Sequence, residues 1–301
     1  MYKRQGGTAG RARTLAGGGV TLLAIESATD TVGVGLIRHD GGSAERVHVG
    51  GRAHAELLAP AIEEVCAVSG TEVADIDRIA VDVGPGLFTG LRVGVATAKA
   101  LAWSLSVPLL GVSSLDILAA AASETASDPD PAGTPAGAVA AVVDARRGEV
   151  FAAAYRFDRP VARPAGPDRS GHTVDPGDVR SDRPGAISPE ALVAWLSDLA
   201  AEAGRVQVVG DGAVRYLGLL SGHDGLDLES AGLLAAPPPL ALARLALARL
   251  SRGAVPTAPA DLVPDYRRPA DARINWEQRL PRPHEPDGGR GGGDRQGAGR
   301  T

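Results

Sequence analysis

Gly84-Pro85-Gly86-Leu87-Phe88-Thr89-Gly90-Leu91-Arg92-Val93-Gly94 joins an apolar run at residues 79–83 to a run of small residues at 95–102. Gly84 and Gly86 flank a proline, which predicts a sharp turn after a buried strand. A glycine-rich turn that enters a helix can bind an anion through free backbone N–H groups. Because such turns are common and carry no chemistry of their own, we interpret this one first as a packing corner.

The helix after this turn carries small residues at a spacing of four. Gly90, Gly94, Ala98 and Ala102 share one face, which lets another backbone approach closely. Thr89 is placed to cap this helix, which is predicted to begin at about Gly90.

Apolar runs and turn residues place the other elements of the first half. Strands are predicted at 22–25, 32–37, 45–49, 76–83 and 108–112, with helices at 53–69 and 90–105. Ser113 or Ser114 is expected to cap the next helix. The order βββαβαβα combines an antiparallel meander with parallel crossover units, which indicates an α/β layered domain.

The second half repeats this pattern in part. Strands are predicted at 139–143, 149–157 and 206–209, with helices from Ser188 and over 240–251. Two halves of similar order indicate a duplicated α/β unit whose second copy is shorter. We therefore expect a disordered leader at 1–19, a first lobe at 20–115, a second lobe at 116–270 with a mobile loop at 158–187, and a disordered tail at 279–301.

The composition is that of a globular protein rather than a nucleic-acid binder. The 301 residues carry a net charge of −5, whereas a dedicated nucleic-acid binder should be basic. The single cysteine, Cys66, allows no intramolecular disulfide and fits a reducing, cytoplasmic setting. No apolar run is long enough to span a bilayer, and the basic N-terminal stretch lacks the apolar core of a signal peptide.

Metal and hydrolase chemistry find little support in the residue pattern. No two of the six histidines are four residues apart, and the position four after His54 is Leu58. With one cysteine, no cysteine-based zinc site can form, so no metal site is predicted. No Gly-x-Ser-x-Gly elbow is present. Leu87 occupies the position in the glycine-rich turn at which a hydroxyl side chain would have suggested a nucleophile.

Nucleotide binding is the main alternative for the turns. Glu26 ends the first strand, and the polar turn after it can combine with the glycine-rich turn to hold phosphates or a metal ion. However, nothing matches the Walker pattern Gly-x4-Gly-Lys-Ser/Thr, and Ala28 stands where many phosphate-binding hairpins have glycine. The candidate nucleotide-proximal residues are Glu26, Ser27, Thr29, Gly84, Gly86, Thr89 and Arg92.

Charged residues cluster at the turn Asp144-Ala145-Arg146-Arg147-Gly148-Glu149. This turn is either a hairpin whose charges pair with each other and with solvent, or the edge of a ligand site or interface. Direct nucleic-acid binding through Arg146, Arg147, Arg267 and Arg268 is a further alternative, which the negative net charge opposes.

Taken together, these motifs resemble those of the TsaB family. The family signature Gly-Pro-Gly-Ser-Phe-Thr-Gly-Leu-Arg-Ile-Gly is nearly complete at residues 84–94. The resemblance covers roughly residues 20–268 and includes Leu23-Ala24-Ile25-Glu26-Ser27-Ala28-Thr29, His54-Ala55-Glu56-Leu57-Leu58-Ala59-Pro60, the hairpin at 144–151 and Pro264-Asp265-Tyr266-Arg267. The chain departs from the family at Leu87, where the signature has serine, and at Glu26, where aspartate is usual.

The resemblance implies an actin-like ATPase (ASKHA) fold of two RNase H-like lobes, the second reduced. It implies a non-catalytic subunit that pairs with a catalytic transferase, TsaD, and acts with the TsaE ATPase to modify the adenosine beside the anticodon of tRNA. ATP or ADP is then expected only at the subunit interface, with no cofactor bound by this chain alone. The same surface is expected to form a weaker homodimer when the partner is absent.

The predicted helices at 53–69 and 90–105 are the expected contact with TsaD, in a helix bundle. The expected interface residues are His54, Leu57, Leu58, Ile62, Val65, Gly90, Leu91, Gly94 and Ala98. Gly94→Leu is accordingly expected to abolish the complex and to leave the monomer folded. The rival hypotheses are an autonomous small-molecule kinase or ATPase of the actin-like class and, with less support, a glycopeptidase.

Overall fold

The computed structural model describes residues 19–49, 53–125, 137–156, 180–182 and 185–267. All of these belong to one compact unit that ends at Arg268. The predicted leader up to residue 18, most of the 158–187 loop, the 279–301 tail and Arg268 lie outside the described residues. The predicted lobe boundary at 115/116 stays a prediction.

The first sheet has five strands in the order β3-β2-β1-β4-β5. They are β1 (Leu22–Glu26), β2 (Thr31–Ile37), β3 (Ser43–Val49), β4 (Arg78–Gly84) and β5 (Leu109–Ser113). β2 pairs antiparallel with β1 and with β3, whereas β4 runs parallel to β1 and to β5. All of β1 is buried, and its alternate residues enter two different cores, which means that both faces of the sheet are covered.

Helices cover these two faces. α1 (His54–Ser69) and α2 (Phe88–Leu105) pack on the face that carries Leu23 and Ile25. α3 (Ser114–Thr125) and α7 (Pro239–Ser251) pack on the opposite face. Gly35 permits the approach of α7, because a Cβ there would lie 2.9 Å from the carbonyl oxygen of Pro239. No helix among the described residues is both long enough and apolar enough to cross a bilayer.

The second sheet has the order β10-β9-β6-β7-β8. Its strands are β6 (Ala138–Arg146), β7 (Glu149–Arg156), β8 (Arg180–Asp182), β9 (Val206–Val209) and β10 (Leu226–Asp227). As in the first sheet, a three-stranded antiparallel meander joins two parallel strands beside its first member. This shared order confirms the predicted duplicated unit. The outer strands β8 and β10 have only three and two residues, so the second copy is the reduced one.

The two sheets share one core. α4 (Pro189–Ala203) covers the outer face of the second sheet, and two short helices, α5 (Asp211–Arg215) and α6 (Leu217–Leu220), follow β9. Val139 on the inner face of β6 belongs to the same apolar cluster as Leu22 of β1. The cluster also contains most of α3 and α7, which is why α3 is buried on nearly all sides.

Two local predictions are wrong. α2 begins at Phe88, and no side chain caps its first turn, so Thr89 lies inside the helix. A backbone bond from Leu87 N–H to the Ala28 carbonyl oxygen, 2.7 Å long, ties this turn instead. Ser114 Oγ donates to Asp82 Oδ1 at 2.6 Å and therefore does not cap α3, and Ser113 Oγ has no partner among the described residues.

Candidate functional site

The glycines of the 84–94 stretch bring α2 against the turn between β1 and β2. A Cβ on Gly86 would overlap the Ala28 carbonyl oxygen, and one on Gly90 would overlap the Ser27 carbonyl oxygen. A Cβ on Gly94 would overlap Ser27 Oγ, which itself donates to the Gly90 carbonyl oxygen at 2.9 Å. The close approach predicted from the glycine spacing therefore occurs within this chain. Gly94→Leu would collide with Ser27, so it would not leave the monomer unperturbed.

His54 also belongs to this corner. Its ring is buried, and Nε2 lies 2.8 Å from the Thr29 carbonyl oxygen and close to Gly90. The histidine thereby links the start of α1 to the β1–β2 turn. Its position is that of a hydrogen-bonded core residue.

The other expected interface residues also face inward. Leu58, Ile62, Val65 and Ala98 are buried in the core beneath α1 and α2, Leu91 is buried as well, and Leu57 is half-buried. The solvent-facing sides of the same helices carry alanines together with larger and charged side chains. We define the outer helix face as Ala59, Glu63 and Ala67 of α1 with Ala96, Ala100 and Trp103 of α2, all of them exposed.

The glycine-rich turn has two N–H groups that already donate within the chain. Its Leu87 N–H already donates to the Ala28 carbonyl oxygen, and its Gly84 N–H donates to Asp82 Oδ1 at 2.7 Å. In the facing turn, the Ala28 N–H donates to Glu26 Oε1 at 2.8 Å. A phosphate cradle requires such N–H groups to be free to face the ligand. Here the N–H groups of Gly84, Leu87 and Ala28 are bonded within the chain, and the two turns form a packing corner.

Two buried carboxyl groups lie beneath this corner. Glu26 accepts from Thr31 Oγ1 at 3.1 Å, and burial, with a smaller contribution from the charge of Asp82, raises the pKa of Glu26 well above its ordinary value. Burial raises the pKa of Asp82 to about 7, although bonds from Ser114 and Gly84 oppose this rise. Asp82 Oδ2 has no partner among the described residues. Burial therefore favours the protonated form of both groups, and Asp82 titrates near pH 7.

Metal binding finds no support here. Within the described ranges, no group of three or more histidine, cysteine, aspartate or glutamate side chains is arranged to hold a metal ion.

A second polar cluster joins the β6–β7 hairpin to the β1–β2 turn. Arg146 pairs with Asp30 at 2.7 Å and with Asp144 at 3.2 Å, and Arg215 of α5 pairs with Asp144 at 3.1 Å. Asp211 Oδ1 accepts from the Asp144 N–H at 2.8 Å, and burial raises the pKa of Asp211 to about 6. The hairpin charges therefore pair with each other, as in one of the two readings of this turn, and also with the first sheet. Asp30, Asp211 and Arg215 carried no sequence signal.

An aromatic cluster lies at the start of α2, and the sequence analysis did not predict it. Phe88 and Tyr266 are both partly exposed, with ring centroids 5.2 Å apart. The Arg92 guanidinium carbon lies 4.5 Å above the Phe88 ring. Of the candidate nucleotide-proximal residues, Arg92 and Thr89 are exposed, whereas Glu26, Ser27 and Thr29 are buried. The structure thus separates these candidates into a buried corner and an exposed helix start.

Comparisons with known proteins show similarity to two families of tRNA-modification proteins. The TsaD family, described as tRNA N6-adenosine threonylcarbamoyltransferase, matches residues 47–169. The chain is 33% identical to the tRNA threonylcarbamoyladenosine biosynthesis protein TsaB of Bacillus subtilis, over 50% of this chain and 62% of that protein. It is 35% identical to the protein of the same name from Escherichia coli, over 46% of this chain and 55% of that protein. The match thus spans little more than half the length of these curated relatives.

A solved structure extends the likeness to the whole fold. YeaZ from Pseudomonas aeruginosa superposes with a TM-score of 0.59 at 28% identity, covering 82% of this chain and 99% of that one. The two sheets of equal strand order are those of an actin-like ATPase fold. In its motifs and relatives the chain is similar to TsaB proteins, and its architecture is an actin-like ATPase fold.

Proposed function

We propose that the chain is a non-catalytic subunit for the synthesis of N6-threonylcarbamoyladenosine in tRNA, and that it binds and activates a TsaD-type transferase. The names of its relatives supply the pathway. One structural observation supports the non-catalytic role: the Gly84 and Leu87 N–H groups of the glycine-rich turn donate to acceptors of the same chain and are therefore not directed at a transferred phosphate. This arrangement also opposes an autonomous kinase or ATPase.

The outer helix face is the surface proposed for the transferase. Ala59 and Ala67 of α1 and Ala96 and Ala100 of α2 let a partner helix approach closely, as four-helix packing requires. Trp103 is 74% exposed beside them, and large exposed aromatic side chains are enriched at protein interfaces. The buried residues first expected at the interface support this face from beneath.

Cofactor and further partners follow from the same proposal. The chain alone is proposed to bind no nucleotide, and ATP or ADP would bind only where the transferase completes a site. A TsaE-type ATPase and the tRNA would join through the transferase complex. Without the transferase, the same face would pair with a second copy at lower affinity.

Binding of the purified chain to the TsaD-type transferase of the same organism tests this proposal. Ala100→Glu places a charge in the outer helix face, and we expect the dissociation constant to rise about tenfold or more. Ala201→Glu is the matched control, because Ala201 is exposed on α4 of the other lobe. Isothermal titration calorimetry measures the dissociation constants of both variants, and size-exclusion chromatography shows whether each variant forms the complex. Equal binding by Ala100→Glu and wild type would contradict the proposed face.

A further inference from the structure

The chain after α7 runs back along the first sheet and α2. The Thr257 N–H donates to the Leu109 carbonyl oxygen at 2.9 Å, and the Asp265 N–H donates to the Val83 carbonyl oxygen at 2.7 Å. Lys99 Nζ of α2 donates to the Leu262 carbonyl oxygen at 2.9 Å. We call residues 257–267 the C-terminal strap. These bonds fix the strap beside the glycine-rich turn.

The strap ends by placing Tyr266 against the start of α2. Tyr266 is 44% exposed, and its ring packs on that of Phe88, which is 38% exposed. Arg92 is exposed one turn along, stacks on Phe88, and has no hydrogen bond or ion pair with any described residue. Two segments far apart in sequence thus build one exposed aromatic and cationic cluster.

This cluster continues the outer helix face. Phe88, Arg92, Ala96 and Ala100 follow one another at a spacing of four along α2, and Trp103 lies near the other end. Tyrosine and arginine are enriched among the residues that dominate binding energy at interfaces. An arginine that stacks on an aromatic ring keeps its N–H groups free to bind a carboxylate.

We propose that Phe88, Arg92 and Tyr266 anchor the transferase, by entering an apolar pocket that has a carboxylate facing Arg92. This inference rests on the proposed function and adds the C-terminal strap to the binding surface. A protein fits the cluster better than RNA does. The strap's own arginine, Arg267, is bonded to Asp265 and has a side chain only 14% exposed, so Arg92 of α2 is the cationic group that the cluster presents.

The test measures transferase affinity for Tyr266→Ala, Arg92→Glu and Arg92→Lys. Tyr266→Ala and Arg92→Glu are each expected to raise the dissociation constant about tenfold or more, whereas Arg92→Lys, which keeps the charge, should lose less. Val255→Ala is the matched control, because Val255 is 85% exposed and precedes the strap. It should bind within about twofold of wild type. Thermal unfolding of each variant shows whether the fold is intact.

The outcomes separate this inference from the function on which it rests. In one outcome, wild type binds the transferase, Ala100→Glu does not, and Tyr266→Ala and Arg92→Glu bind it as tightly as wild type does. The proposed anchor is then wrong, and the proposed function stands. If wild type fails to bind the transferase, both the proposed anchor and the proposed function are contradicted. If Tyr266→Ala keeps the transferase affinity but loses a tRNA gel shift given by wild type, the cluster contacts RNA and the anchor is overturned.

Discussion

Asp82 shows how one residue links the corner to the pH dependence of stability. Its folded pKa of about 7 lies above the ordinary value of 3.8, because the side chain is fully buried. Between these values the folded state holds a proton that the unfolded state releases. The free energy of unfolding therefore falls as pH rises from about 4 to about 7. Glu26, whose pKa is raised in the same direction, adds to this trend.

Asp82→Asn should flatten this dependence. The amide oxygen can still accept from Gly84 and Ser114, but the group no longer titrates. We expect the difference between the unfolding temperatures at pH 5 and pH 8 to shrink by about 3 °C or more. Calorimetry at both pH values measures it. Asp224→Asn, at an exposed position, serves as control, and an unchanged pH slope for Asp82→Asn would refute the assigned cause.

At the scale of elements, apolar runs located the main strands and helices but did not say what each helix face contacts. Alanine occurs on both the buried and the exposed sides of α1 and α2, so the alanine positions do not reveal which side a partner contacts. The spacing of Gly90 and Gly94 correctly predicted a close approach, yet the approaching group is Ser27 of the same chain. Strands β8 and β10 were missed because three and two residues carry no periodicity.

Gly94→Ala tests this intramolecular approach. The added Cβ would overlap Ser27 Oγ and break its bond to Gly90, so we expect a loss of about 1–3 kcal/mol in the free energy of unfolding. Gly218→Ala is the matched control, since a Cβ there meets nothing within 4 Å. It should be neutral or slightly stabilising. Urea denaturation measures the free energy of unfolding of both variants. An equal change in the two variants would argue against the close contact between Gly94 and Ser27.

At the scale of the whole molecule, the contacts that build the candidate surfaces join residues far apart in sequence. Arg146 meets Asp30 from another sheet, and Tyr266 meets Phe88 across most of the chain. A single sequence contains no signal for such pairs, which depend on how two duplicated units share one core. The duplication itself was predictable, because both halves repeat the same order of strands.

The most direct test of the non-catalytic partner role is the rate at which the TsaD-type transferase, supplied with threonylcarbamoyl-adenylate and a TsaE-type ATPase, modifies tRNA with and without this chain. We predict that the chain raises the rate, that Ala100→Glu fails to do so, and that the chain alone hydrolyses no ATP. Transferase activity that is equal with and without the chain would contradict the account.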